Sequence, residues 1–325
     1  MDNLQAETLN PYKEHKEQAK ELDLARHFAL YHPRKSERIY QCGDSLIFDR
    51  YQNLETGDEL LALAWAIFCK VKWCPMCAWR KARKILAELL SVFEQIEARY
   101  CVGYVFLTLT IKNPDLRDLR ASVAHMSKSW QRLIQTKRFK KAVWGYIRAL
   151  EFMGDETPEG QAHPHYHSVL VVPTSYFQGS RYIPQAEWAE MWQKALRANY
   201  SPIVDIRGVR PKKGATELHR ATQSPKGIQT PHISPTLLKA LCECTKYLAK
   251  GTKLAKLDQE QFLTLDKQAK GLRQYNLGGL VKSIKPIEPP PLDPSIWEFL
   301  EKEFYLWCGN DYKQINESDF YNSKT

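Results

Sequence analysis

The run His165-Tyr166-His167-Ser168-Val169-Leu170-Val171-Val172, entered through His163-Pro164, constrains the chain more than any other. A short block this rich in valine between turn residues reads as a β-strand. Successive strand side chains point to opposite faces, so His165 and His167 share one face while Tyr166 enters the other layer. Two imidazoles on one face can hold one metal ion, and a third ligand is needed. Trp144 to Phe152 reads as the preceding strand, joined to the histidine strand by a Gly-, Asp-, Glu- and Pro-containing loop. Antiparallel pairing of the two would bring Glu151 beside the imidazoles as a two-His, one-carboxylate site. The alternative is a histidine-rich turn packed on the core. His163, before a proline, falls in the turn and supports the site from outside.

Around this pair the pattern supplies further elements. Cys101 to Lys112 predicts a buried strand, Leu116 to Gln135 and Glu187 to Asn199 helices, Pro202 to Val209 a short strand, and Ser234 to Lys250 a helix. The order β-α-β-β-α-β-α reads as an α+β sandwich, an antiparallel sheet with helices on one face. In the last helix Ser234 is the N-cap, Pro235 opens the first turn and Gly251 lies just past the end. Glu243, Tyr247 and Lys250 then fall at i, i+4 and i+7 on one face. Tyrosine is a weak nucleophile at its ordinary pKa of about 10. A neighbouring ammonium and a divalent cation would favour its phenolate, and a carboxylate one turn away can take a proton from water. A boundary tyrosine with a buried ring and a wet hydroxyl is the competing reading for Tyr247.

Eight cysteines occur with no export signal or long apolar span in the chain, which points to a reducing, cytoplasmic setting and no membrane partner. Cys42, Cys69, Cys74 and Cys77 are spaced to close a structural Zn²⁺ site, with four free buried cysteines as the alternative. Cys101, Cys242, Cys244 and Cys308 have no such spacing. The net charge of +10 favours a polyanionic partner, and its distribution says more. Arg80, Lys81, Arg83 and Lys84 follow the cysteines on a basic helix, Ala78 to Glu97, and could grip duplex phosphates. Lys128, Arg132, Lys140 and Lys141 lie in an acid-free run interleaved with Trp130, Phe139, Trp144 and Tyr146. That mixture suits single-stranded DNA, whose bases stack on rings, and equally suits an amphipathic helix with an aromatic core face.

The boundaries that follow are a charged helical arm over 1–38, closed by Pro33, and a four-cysteine DNA-binding module with its basic helix over 39–98. A catalytic domain over 99–255 comes next, then a proline-containing linker and acidic C-terminal segment over 256–325. Ile296 to Cys308 is expected to be an aromatic helix.

Three blocks together resemble the single-tyrosine rolling-circle plasmid replication initiators of the HUH endonuclease superfamily: Phe106-Leu107-Thr108-Leu109-Thr110, His165-Tyr166-His167, and Glu243-x-x-x-Tyr247-x-x-Lys250. The resemblance covers roughly Cys42 to Lys250. It implies a ferredoxin-like antiparallel sheet and Mg²⁺ or Mn²⁺ on His165 and His167. It further implies Tyr247 as nucleophile, Glu243 as the base that activates water for termination, and Lys250 assisting. Plasmid origin DNA, single-stranded and duplex, is the implied partner, with host helicase and DNA polymerase acting afterwards and a homodimer as a compatible assembly. Two rivals share parts of the pattern. A single-tyrosine transposase or relaxase would share the metal and tyrosine, and a zinc-bearing DNA-binding regulator would use the same residues structurally.

Overall fold

A computed structural model describes residues 2–154, 157–209, 233–245 and 254–322. The chain opens with helix α1 (Asn3–Glu21), where Asp2 accepts the Gln5 amide at 2.7 Å and Gln5 returns the bond at 3.0 Å, a reciprocal cap. Asp23, at φ +43°, ends this helix and α2 (Leu24–Ala29) follows. The arm does not stop at Pro33. That residue instead opens α3 (Pro33–Tyr40), because the first helical position needs no amide hydrogen. Strands β1 (Ser45–Asn53) and β2 (Glu59–Ala66) form an antiparallel hairpin between Cys42 and Cys69, and α4 (Pro75–Arg99) carries the basic helix.

The stretch that follows holds β3 (Val102–Thr110), α5 (Leu119–Gln135), α6 (Lys137–Ala142), β4 (Gly145–Glu151) and β5 (His165–Pro173). It continues through α7 (Gln185–Leu196), β6 (Val204–Gly208), α8 (Pro235–Thr245), α9 (Gln259–Ala269), β7 (Tyr275–Gly279) and α10 (Leu280–Ser283). Five strands form one sheet in the order β6-β3-β5-β4-β7, with every neighbour antiparallel. The histidine strand β5 is therefore central.

Helices cover both faces of this sheet, not one as the sequence pattern predicts. On one face Trp130 of α5 meets Tyr146 and Tyr166 edge-on, with centroids 4.9 and 6.0 Å away. On the other, Ile147, Ala149, Val169 and Val171 share a buried cluster with Ile85, Leu89 and Phe93 of α4 and Leu237 and Leu241 of α8. The run Val169-Leu170-Val171-Val172 is apolar on both sides, so neither can be left to water. Strand β7 escapes the sequence pattern because two of its five residues are glycine. A side chain at Gly278 would overlap the Tyr146 ring, and Gly279 lies at φ +54° against the Trp144 carbonyl.

The C-terminal expectation is overturned. Ile296 to Cys308 is not a helix but strand β8 (Trp297–Trp307), followed by β9 (Tyr312–Ile315) and α11 (Glu317–Asn322). Its three glutamates and two leucines suit a helix, but its five aromatics suit a strand, and a waiting sheet edge decides. Strand β8 pairs with β1 from Ser45↔Leu306 to Asn53↔Trp297, and Gly309 at φ +92° turns the chain into β9. The second sheet has the order β2-β1-β8-β9.

Contacts divide the chain into two units, one built mainly from its first 81 residues with those after Ile287, the other from Ala82–Arg220 and Pro231–Ile287. The C-terminal segment is thus not an appended piece. Within the first unit Arg50, 8% exposed, is bonded by Glu303 on β8 at 2.5 Å, by Asp2 at 2.7 Å, and by Glu59. Tyr305 and Gln5 also donate to the buried Glu303 carboxylate.

Candidate active site

Antiparallel register decides which side chains meet on β5. Glu151 of β4 lies opposite His165, and Thr108 of β3 lies opposite His167. His165 Nε2 and His167 Nε2 are 3.0 Å apart, and Glu151 Oε2 is 3.6 and 3.5 Å from them. The His165 Nδ1–H donates to the His163 carbonyl at 2.9 Å, so in the neutral ring Nε2 holds the lone pair. His167 Nδ1 is 3.1 Å from the Thr108 hydroxyl, and its ring stacks on Phe106 at 5.5 Å. Burial pushes the Glu151 carboxyl up, but hydrogen bonds and charge from His165 and His167 outweigh it and hold the pKa at about 2. Glu151 is therefore a carboxylate at neutral pH.

These three donors fit a small divalent cation. Two imidazole lone pairs at 3.0 Å repel unless a proton or cation lies between them. An octahedral ion with ligands at about 2.1 Å would set neighbouring ligands about 3.0 Å apart, near the short side of the observed triangle. Glu151, His165 and His167 thus form a group able to hold a metal ion.

A cavity of about 670 Å³ opens over the triangle. Its walls come from the β3 exit at Thr110, Ile111, Lys112 and Asn113, from residues 200–203, and from Glu243 of α8. Helix α8 is held against the histidine strand by Cys244, whose buried thiol donates to the His167 carbonyl at 3.7 Å. Burial pushes that thiol's pKa well up, so it remains protonated. The adjacent Glu243 lines the cavity. Tyr247 and Lys250 lie outside the described residues.

The structure also brings Cys42, Cys69, Cys74 and Cys77 together. Sulfur separations Cys42–Cys77, Cys69–Cys77 and Cys42–Cys74 are each 3.6 Å. Four thiolates about 2.3 Å from a tetrahedral Zn²⁺ would sit about 3.8 Å apart, so the donor set and spacing fit. Backbone amides of Cys69, Lys70 and Val71 donate to these sulfurs at 3.2 to 3.4 Å. Hydrogen bonds from Cys42, Cys69 and Cys74 pull the Cys77 thiol down. Lys16 is a participant with no sequence signal. Its buried ammonium donates to the carbonyls of Tyr40 and Cys42 at 2.8 and 3.0 Å and pairs with Asp44 at 2.5 Å, fixing the loop that carries Cys42.

Among the basic residues, Lys81, Arg83, Lys84, Lys128, Lys140 and Lys141 are exposed, and Arg80 lies 3.8 Å over the Phe68 ring. Arg132 is bonded within the fold, to the Ala195 carbonyl at 2.6 Å and Ser129 at 2.8 Å. Three of the four interleaved aromatics, Trp130, Phe139 and Tyr146, are buried. The run from Lys128 thus spans the end of α5, α6 and the start of β4 with its aromatics turned into the core, and of the four only Trp144 keeps an exposed ring. Thr108 and Asn113 are neighbours of the site that residue pattern did not assign. Strand register would have found Thr108, whereas Asn113, 2.6 Å from His163 Nδ1, is reached only through tertiary structure.

The family model described as Replication protein matches residues 60–305. A Protein rep of Bacillus amyloliquefaciens is 36% identical over 262 residues, covering 79% of this chain and 74% of that protein. Another from Bacillus sp is 35% identical over 262 residues, covering 79% and 81%. A third, from Streptococcus pneumoniae serotype 2, is 33% identical over 255 residues, covering 77% and 70%. No solved structure matches the chain. With a family match spanning well over half its length and relatives of this identity over most of theirs, the chain belongs to the replication protein family.

Proposed function

We propose that this chain is a plasmid replication initiator, a metal-dependent endonuclease and strand transferase that nicks the origin plus strand through Tyr247. The carrying observation is that Glu151, His165 and His167 meet on the floor of a cavity that Glu243 also lines. A Mg²⁺ or Mn²⁺ held by these three would supply positive charge against the scissile phosphate. The His163 carbonyl and Thr108 orient the two rings, so the donors need no rearrangement before reaction. The Tyr247 oxygen attacks phosphorus and the 3′ oxygen departs, leaving a 5′-phosphotyrosine and a 3′-OH that primes synthesis. Lys250, three residues on, would stabilise the phenolate. At termination Glu243 takes a proton from water, which then cleaves a second time without a second tyrosine. The likeness to replication proteins favours initiation over transposition or conjugation.

The four cysteines would hold Zn²⁺ and brace the start of α4, from which Arg80, Lys81, Arg83 and Lys84 contact duplex origin phosphates. Lys128, Lys140 and Lys141 would contact single-stranded DNA, with Arg132 bracing α5 through its bond to the Ala195 carbonyl of α7. A host helicase would unwind the duplex and a host polymerase extend the free 3′ end in the cytoplasm, and a homodimer is compatible with this scheme. Among the described residues no helix is long and apolar enough to cross a membrane.

The test is incubation of wild type and Tyr247→Phe with labelled single-stranded origin oligonucleotides and Mn²⁺, then a denaturing gel. A covalent adduct that needs metal and disappears in the variant supports the proposal. DNA binding without any adduct over a broad oligonucleotide pool replaces it with a zinc-bearing regulator.

A further inference from the structure

Two backbone segments cross at one rim of the cavity. Strand β3 leaves its sheet through Ile111-Lys112-Asn113, and Tyr200-Ser201-Pro202-Ile203 leads into β6. The Thr110 amide and hydroxyl both donate to the Ile203 carbonyl, at 3.2 and 2.9 Å. The Trp192 indole N–H donates to the Thr110 carbonyl at 2.8 Å, and the Lys112 amide donates to the Tyr200 phenol oxygen at 3.0 Å. The rim is therefore fixed from both sides. Ile203 is nevertheless 75% exposed, between the buried Pro202 and Val204.

Scattered exposed apolar residues are ordinary on protein surfaces. Ile203 differs in its place: its own carbonyl anchors the rim, and it stands beside a cavity floored by two imidazoles and a carboxylate, with the exposed Lys112 on the facing segment. An exposed apolar side chain on a backbone fixed in this way suits the face of an unpaired base, and a neighbouring cation suits the phosphate that comes with it. We propose that Ile203 is the seat for one nucleobase of single-stranded DNA beside the scissile phosphate, with Lys112 taking a neighbouring phosphate. Tyr200 acts as a positioning residue, because its phenol oxygen holds the Lys112 backbone. The inference rests on the nicking reading and deepens it, since it names the residues that would discriminate the base next to the cut.

The test separates base from phosphate. Binding of a labelled thymidylate dodecamer and of an abasic dodecamer is measured by fluorescence anisotropy without added Mg²⁺ or Mn²⁺ at several salt concentrations. Ile203→Ser is expected to weaken thymidylate binding about 3- to 10-fold and leave abasic binding unchanged, with Ile203→Leu restoring it. Lys112→Ala should weaken both ligands alike and lower the salt slope by about 1, and Tyr200→Phe should move the salt slope the same way. Equal loss on both ligands for Ile203→Ser, or no loss in a protein with wild-type circular dichroism, overturns the base seat. Absence of the metal-dependent adduct on origin oligonucleotides removes the nicking reading itself, whereas dodecamer binding that ignores Ile203, or no binding of either dodecamer, removes only the seat.

Discussion

His167 is surrounded by four different kinds of chemistry: a hydroxyl at Nδ1, a ring against its face, a second imidazole at Nε2, and a thiol on its own carbonyl. Such a residue has little freedom to choose another rotamer. Replacing it, or Glu151, removes one donor of three, so His167→Ala and Glu151→Ala are each expected to lower Mn²⁺ affinity at least tenfold. Isothermal titration of the purified variants checks this, and wild-type affinity in both would dissociate the triangle from metal binding. Thr108→Val should have a smaller effect, no more than about tenfold, the low end of the range typical of outer partners. Glu243→Gln is expected to leave the first nick intact and to impair termination on a two-site substrate. Equal loss of both steps would count against its assigned role. The sequence made the histidine pair and Glu151 legible because strand alternation is a strict rule of period two. It did not reveal Lys16 or Asn113, since bonds across 26 and 50 positions leave no local pattern.

At the scale of elements, local signals served where the element is self-contained and failed where a distant partner decides. Strand β5 and the capped start of α8 read directly from valine runs, Ser234 and Pro235. Strand β8 did not, because its form is set by β1 some 250 positions earlier. The Arg50–Glu303 pair joins those two strands and lies out of water. Arg50→Met would leave Glu303 buried without its cation, which typically costs about 3–5 kcal/mol. Urea unfolding should show the loss, and Arg50→Met combined with Glu303→Gln should recover much of it. A loss no smaller in the double variant would mean that shape, not charge, makes the contact. The cysteine loop has its own test. Cys77→Ser should release bound Zn²⁺, detected with a chromogenic chelator, while Cys101→Ser releases none.

For the whole molecule, the decisive fact is that one unit is assembled from both ends of the chain. Deleting residues 288–325 therefore removes β8 from the middle of a four-stranded sheet and does not simply trim an acidic tail. The shortened protein is expected to lose Zn²⁺ and expose Phe48, which packs on Tyr305, to a hydrophobic dye. Retained Zn²⁺ at wild-type stoichiometry would show that the cysteine loop folds without β8. The same fact bears on synthesis. At roughly 5–20 residues per second, β1 leaves the ribosome on the order of ten to fifty seconds before β8 can pair with it. The central sheet, with its Glu-His-His triangle, is translated completely within that interval. A message cut between Ser283 and Trp297 would therefore yield chains that carry all five strands of the Glu-His-His sheet but lack β8 and β9, so only translation through β9 brings both sheets together in one protein.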